Sequence, residues 1–139
     1  MPAERYVLDT SALLTLMEDE DGAQRVEEVL RSAVALLPCI VLMEVYYIVR
    51  QERGEAEATR RYALARELPL TVIWELDEPT ILLAGRLKAD HRLSLADAVI
   101  AATAVRQQAT LLHKDPEFEA VTAELRQEAL PYKAAPGPR

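Results

Sequence analysis

The sequence predicts a layered α/β protein with a largely parallel sheet. Short apolar, β-rich runs alternate with longer helical patterns along the chain, the signature of strands joined by crossover helices. The first apolar run hands over to Asp9, at the carboxyl end of a strand, the edge where open parallel sheets bind ligands. The 139 residues, 50% of them hydrophobic, suffice for one domain with a proper core and are too few for two.

In "YVLDTSALL" a strand covers residues 6–8, and a short helix runs from Ser11 through Met17. An acidic turn, residues 18–22, separates it from a second helix over "GAQRVEEVLRSA". "VALLP" is a second strand ended by Pro38, and "CIVLMEVYYIVRQERG" a mostly buried helix stopped at Gly54. "EAEATRRYALAREL" is amphipathic and closed by Pro69, and "LTVIWEL" is β-rich enough for a third strand. A helix follows from about Glu78 to Asp90, then another over "SLADAVIAATAVRQQA" and a fourth strand in "TLLHKD". A last helix over "PEFEAVTAELRQ" and a fifth short strand in "ALPYK" complete one unit, residues 1–133. Residues 134–139, "AAPGPR", form a flexible tail because Pro136, Gly137 and Pro138 oppose regular structure.

No apolar stretch approaches the roughly 20 residues of a membrane span. The start "MPAERYVLD" lacks the basic-then-apolar layout of a secretory signal, so a soluble, cytoplasmic protein with no membrane partner is expected. The single Cys39 makes no internal disulfide, in keeping with a reducing compartment. The net charge of −7 opposes phosphate binding by the surface as a whole. If much of that charge sits in one cation-holding site, the mildly acidic remainder still has room for a local basic rim.

Four acids stand in unusual places. Asp9, between strand and helix, reads equally as a turn or cap residue. Glu44 is the only charged residue in "CIVLMEVYYIV"; unpaired and buried it would cost several kcal/mol, so it is protonated, salt-bridged or bound to a cation. Asp97, in "LSLADAVIAATA", also fits a capping box with Ser94, and the small-residue helix that follows packs deeply. Asp115 ends "TLLHKD" and, before Pro116, is also a natural cap. With the first and fourth strands adjacent, Asp9 and Asp115 are neighbours, and Asp97 and Glu44 approach from the same end.

Carboxylates so gathered repel one another and raise their pKa values unless a cation intervenes. Oxygen ligands select a hard divalent ion, Mg²⁺ or Mn²⁺ in its place. No Cys/His set of zinc spacing is present; His91 reads as a solvated residue and His113 as a partly covered strand residue. Such a site suits phosphodiester hydrolysis, in which ions make hydroxide available and steady the leaving oxygen. The hydroxyls of Thr10 and Ser11 either orient a water or phosphate oxygen there or cap the first helix.

Together, "YVLDTSALL", the Glu44 of "VLMEVYYIV", "LSLADAVIAATA" and "TLLHKDPEF" resemble, in order and over essentially the whole chain, PIN-domain ribonucleases, in particular the VapC-type toxins of toxin–antitoxin pairs. The resemblance implies a three-layer α/β/α fold around a mostly parallel sheet of four to five strands. It implies that Asp9, Glu44, Asp97 and Asp115 are the catalytic, metal-binding acids, with Ser11, Thr10 and Glu117 in support. Around the last acid such proteins often read threonine, any residue, aspartate, any residue, aspartate, phenylalanine. His113 replaces the threonine and Glu117 the second aspartate, while Phe118 fits, so the departures touch the surroundings of the site and not the four acids. The function implied is a Mg²⁺- or Mn²⁺-dependent endoribonuclease, usually a homodimer, silenced by a cognate antitoxin that covers the active site.

Basic groups for RNA are expected in "RLKADHR", with Arg86, Lys88, His91 and Arg92, or at Arg50, Arg53, Arg60 and Arg61; ordinary solvated charge explains either set. A haloacid-dehalogenase-type phosphatase would carry a second acid at position 11, where Ser11 stands. A receiver domain would pair acids after the first strand and leaves Glu44 unexplained. A non-catalytic or weakly active interaction module of the same fold is the serious rival.

Overall fold

The computed structural model describes residues 3–134; apart from Ala134, the expected tail lies outside the described residues. The chain forms β1 (Arg5–Leu8), α1 (Thr10–Met17), α2 (Ala23–Ser32), β2 (Val34–Pro38), α3 (Cys39–Arg53) and α4 (Glu55–Glu67). It continues through β3 (Thr71–Ile73), α5 (Glu78–Asp90), α6 (Leu95–Arg106), β4 (Thr110–His113), a 3-10 helix (Pro116–Val121) and β5 (Gln127–Ala129). The strands form one sheet in the order β3-β2-β1-β4-β5, with every neighbouring pair parallel.

Successive strand residues point to opposite faces, and Tyr6, Val7 and Leu8 are all buried, as are Ala35, Leu36 and Leu37. The central strands are therefore covered by helices on both sides, the three-layer arrangement that near-continuous apolar runs favour. Leu13 from α1, Leu42 from α3, Leu87 from α5 and Ile100 from α6 fill the space between the layers. Gly22, at φ 103°, lies where a Cβ would meet Leu130 and Pro131 at 3.2 Å, so its lack of a side chain lets the last segment lie against the start of α2.

Three expected elements differ. The third strand is confined to Thr71–Ile73, because it is an edge strand and Trp74 already leaves the sheet with its side chain half exposed. The long last helix shrinks to one 3-10 helix; the chain must reach the sheet edge within a few residues, and the 3-10 form advances further per residue. The fifth strand lies at Gln127–Ala129 rather than in "ALPYK". Its polar side chains hid it, for Gln127 is bonded to His113 and Glu128 to Arg25 and Tyr6.

Candidate metal and active site

From β1 the chain crosses to β2 on one side, whereas β4 lies on β1's other side and leads on to β5. The strand order thus reverses between β1 and β4, and the crevice above their carboxyl ends is the ligand site of such sheets. Leu8 is in register with Leu112, and the Asp9 N–H donates to the Leu112 carbonyl at 3.0 Å, which brings Asp9 to the edge from which Lys114 and Asp115 continue. Asp9 caps α1: its Oδ2 accepts from the Ser11 N–H at 3.1 Å and from the Ser11 hydroxyl. The same Ser11 Oγ accepts the Lys114 N–H at 2.8 Å, so one hydroxyl ties the ends of both strands together.

Glu44 projects from α3, partly buried, and accepts from Thr10 Oγ1 at 2.6 Å, which fixes it against α1. Asp97 sits in the first turn of α6, where Ser94 Oγ accepts its N–H at 3.1 Å. Its buried carboxyl feels Asp9, Asp115 and Glu44. Asp115 caps the 3-10 helix by accepting the Glu117 N–H at 3.0 Å. Asp97, Asp115 and Glu117 offer carboxylate oxygens within 4.8 Å of one another. Capping and clustering therefore coexist at Asp9 and Asp115, and the five acids share one end of the sheet.

Burial, reinforced by Glu44 and Asp115, pushes Asp9 up to about 6 even against its bonds from Ser11. Asp97 is pushed up to about 7, by burial first and then by Asp9, Asp115 and Glu44. Asp9 Oδ1 is buried without a hydrogen-bond partner. An all-oxygen donor set, mutual repulsion and an unmet buried acceptor fit a divalent cation.

A family model for the PIN domain matches residues 6–124. The chain belongs to the PIN-domain family. Among curated protein sequences none matches it. Solved structures share the fold: the VapBC2 structure from Rickettsia felis bound to a promoter DNA fragment matches at TM-score 0.75 and 19% identity, over 91% of this chain and 99% of that one. VapBC-1 from nontypeable Haemophilus influenzae matches at TM-score 0.70 and 23% identity, over 90% and 97%. VapC20 of Mycobacterium tuberculosis, a sarcin-ricin loop cleaving toxin, matches at TM-score 0.66 and 16% identity, over 84% and 94%.

In this PIN domain His113 is fully buried rather than partly covered. Its Nδ1 accepts the Asp115 N–H at 3.0 Å, and its Nε2 faces Gln127 Oε1 at 2.8 Å. The Gln127 amide N–H is spent on the Phe118 carbonyl, so Nε2 is the donor and the ring is neutral; burial lowers its pKa. The imidazole thus braces the backbone of Asp115, a role that its place two residues before that acid could have signalled. His91 is not freely solvated either, since Nε2 lies 2.9 Å from Glu124, which Arg86 also reaches at 2.6 Å. The arginines considered for phosphate are engaged: Arg50 with Glu55, Arg53 with Glu18 and Arg60 with Glu57. Arg61 is no surface charge at all; it is buried between Glu18 and Glu57.

Proposed function

We propose that the protein is a Mg²⁺- or Mn²⁺-dependent endoribonuclease, the toxin of a VapBC-type pair. One observation carries this reading: acids from β1, α3, α6 and the end of β4 converge at the switch point, where Asp9 and Asp97 are driven toward their protonated forms. Asp9, Glu44, Asp97 and Asp115 are assigned as the metal-holding acids, with Glu117 beside them. A bound ion would lower the pKa of a water and stabilise the negative charge that develops on the phosphate.

The chain's own contribution is to hold these groups in place before RNA arrives. Ser11 locks Asp9 to the end of β4, Thr10 locks Glu44, and Ser94 sets the first turn of α6. The acids then serve as ligands, not as proton carriers. RNA approaches at the carboxyl edge of the sheet, where the acids lie.

The VapBC relatives support a cognate antitoxin as partner. Met43, Trp74, Leu76 and Leu95 are exposed large apolar side chains, and Met43 and Trp74 line a cavity of about 450 Å³ between α3 and α4, an apolar face suited to covering by protein. A homodimer is the assembly assigned to the free toxin. Among the described residues no helix is long and apolar enough to cross a membrane, in keeping with a cytoplasmic site of action.

The test is incubation of antitoxin-free protein with structured and unstructured RNAs, with Mn²⁺, with chelator, and beside Asp9→Asn. Metal-dependent cleavage that Asp9→Asn abolishes is expected. Absence of cleavage by the wild type with Mn²⁺ would leave the non-catalytic module as the better reading.

A further inference from the structure

Beside the acidic crevice lies a second cavity of about 350 Å³, within the roughly 300–1,000 Å³ of small-molecule pockets, and it shares Ser11 and Asp115 with the acids. Leu14, Pro116 and the Tyr132 ring form its apolar walls, and Glu20, Lys114 and Lys133 its charged groups. Tyr132 is set rather than loose: its ring stacks on His113 at 6.3 Å between centroids, and its hydroxyl donates to Glu119 at 3.0 Å.

Lys114 is the unusual group. Its side chain is only 5% exposed, its stem packed away while the ammonium faces the cavity, and among the described residues the one carboxylate oxygen within 4 Å is Glu20 Oε1 at 3.9 Å, beyond hydrogen-bond reach. Glu20 is already held by Lys133 at 2.9 Å. An ammonium that opens into this cavity with no acceptor in hydrogen-bond reach has room for an incoming anion. An apolar wall with a fixed aromatic ring, a waiting ammonium and a shared border with the acids match a nucleotide better than a lone phosphate. We propose that this cavity seats the nucleotide next to the scissile phosphate of the RNA strand, Lys114 taking its phosphate while Tyr132, Leu14 and Pro116 take its base. The assignment rests on the ribonuclease reading and adds to it a residue-level determinant of substrate choice.

The test uses fluorescence anisotropy of a labelled single-stranded RNA on the full chain, in an Asp9→Asn background that binds without cutting. Lys114→Met is expected to weaken binding about tenfold and to lower the slope of log affinity against log salt by about 0.7, while Lys114→Arg retains both. Tyr132→Ala is expected to weaken binding about tenfold with the salt slope intact, and Tyr132→Phe to bind as the parent does. Mn²⁺ binding, read by electron paramagnetic resonance with Asp9 restored, should be the same in all four variants. Unchanged affinity and slope in Lys114→Met, with the wild type still cleaving RNA, would overturn the subsite and leave the nuclease standing. Should Lys114→Met fail to fold, unchanged affinity in Tyr132→Ala overturns it alone. A wild type that neither cleaves nor binds RNA would remove both.

Discussion

Asp9→Asn should make the metal-free protein more stable while removing its activity. Asp9 is 2% exposed, and its carboxyl is held at about 6 against an ordinary 3.8. The native state therefore keeps a proton that the unfolded chain gives up, so stability falls as pH rises from about 4 to about 6 and stays low above. Ionising this one group costs the fold about 3 kcal/mol. Asparagine avoids that cost. Its carbonyl can still accept from the Ser11 N–H and hydroxyl, and its NH₂ replaces the unmet Oδ1 among acids able to accept from it. Removing the Asp9 charge also relieves Asp97, whose own elevation Asp9 helps to cause. In chelator at pH 8 the variant should melt about 10 °C above the wild type, a gain that shrinks below about 1 kcal/mol by pH 4. Thermal and urea denaturation over this pH range measure it. With millimolar Mn²⁺ the order should reverse, because only the wild type gains binding energy. A variant no more stable than the wild type at pH 8 without metal, or one whose gain persists at pH 4, would refute the electrostatic argument.

Binding of Mn²⁺ at pH 6.5 should release on the order of one proton, mainly from Asp97, and almost none at pH 8.5; calorimetry in buffers of different ionisation enthalpy reads this directly. Asp97→Asn should abolish metal-dependent RNA cleavage with an unchanged far-ultraviolet circular dichroism spectrum, and full activity would take Asp97 out of the site. Arg61→Ala should lower the urea midpoint, since it removes a buried guanidinium that joins Glu18 to Glu57, and an unchanged midpoint would mean that Arg61 acts as an exposed charge.

The alternation of apolar runs with helical patterns was enough to read the layered parallel fold, because a strand buried on both faces can hardly be anything but apolar. "YVL", "VALLP" and "TLLH" declare themselves in this way. β5 does not: Gln127 and Glu128 are held in the sheet by bonds to His113, Arg25 and Tyr6, groups remote in sequence. The acids were less plain, since capping alone accounts for Asp9, Asp97 and Asp115 one at a time, and only Glu44, inside an apolar helix, had no such local role. Glu117 entered only as a supporting residue implied by the resemblance, yet its carboxylate shares the space of Asp97 and Asp115.

What the sequence by itself determined, then, is which segments are the three central strands and which acids stand at the ends of β1 and β4, because both follow from local pattern and burial cost. Only the tertiary structure decided that β4 lies against β1, that His113 is a neutral brace under Asp115, and that the Lys114 ammonium faces a cavity with no acceptor in hydrogen-bond reach. Strand neighbours are chosen by backbone pairing across about a hundred residues, and the proton affinity of a side chain is set by whatever that pairing packs around it.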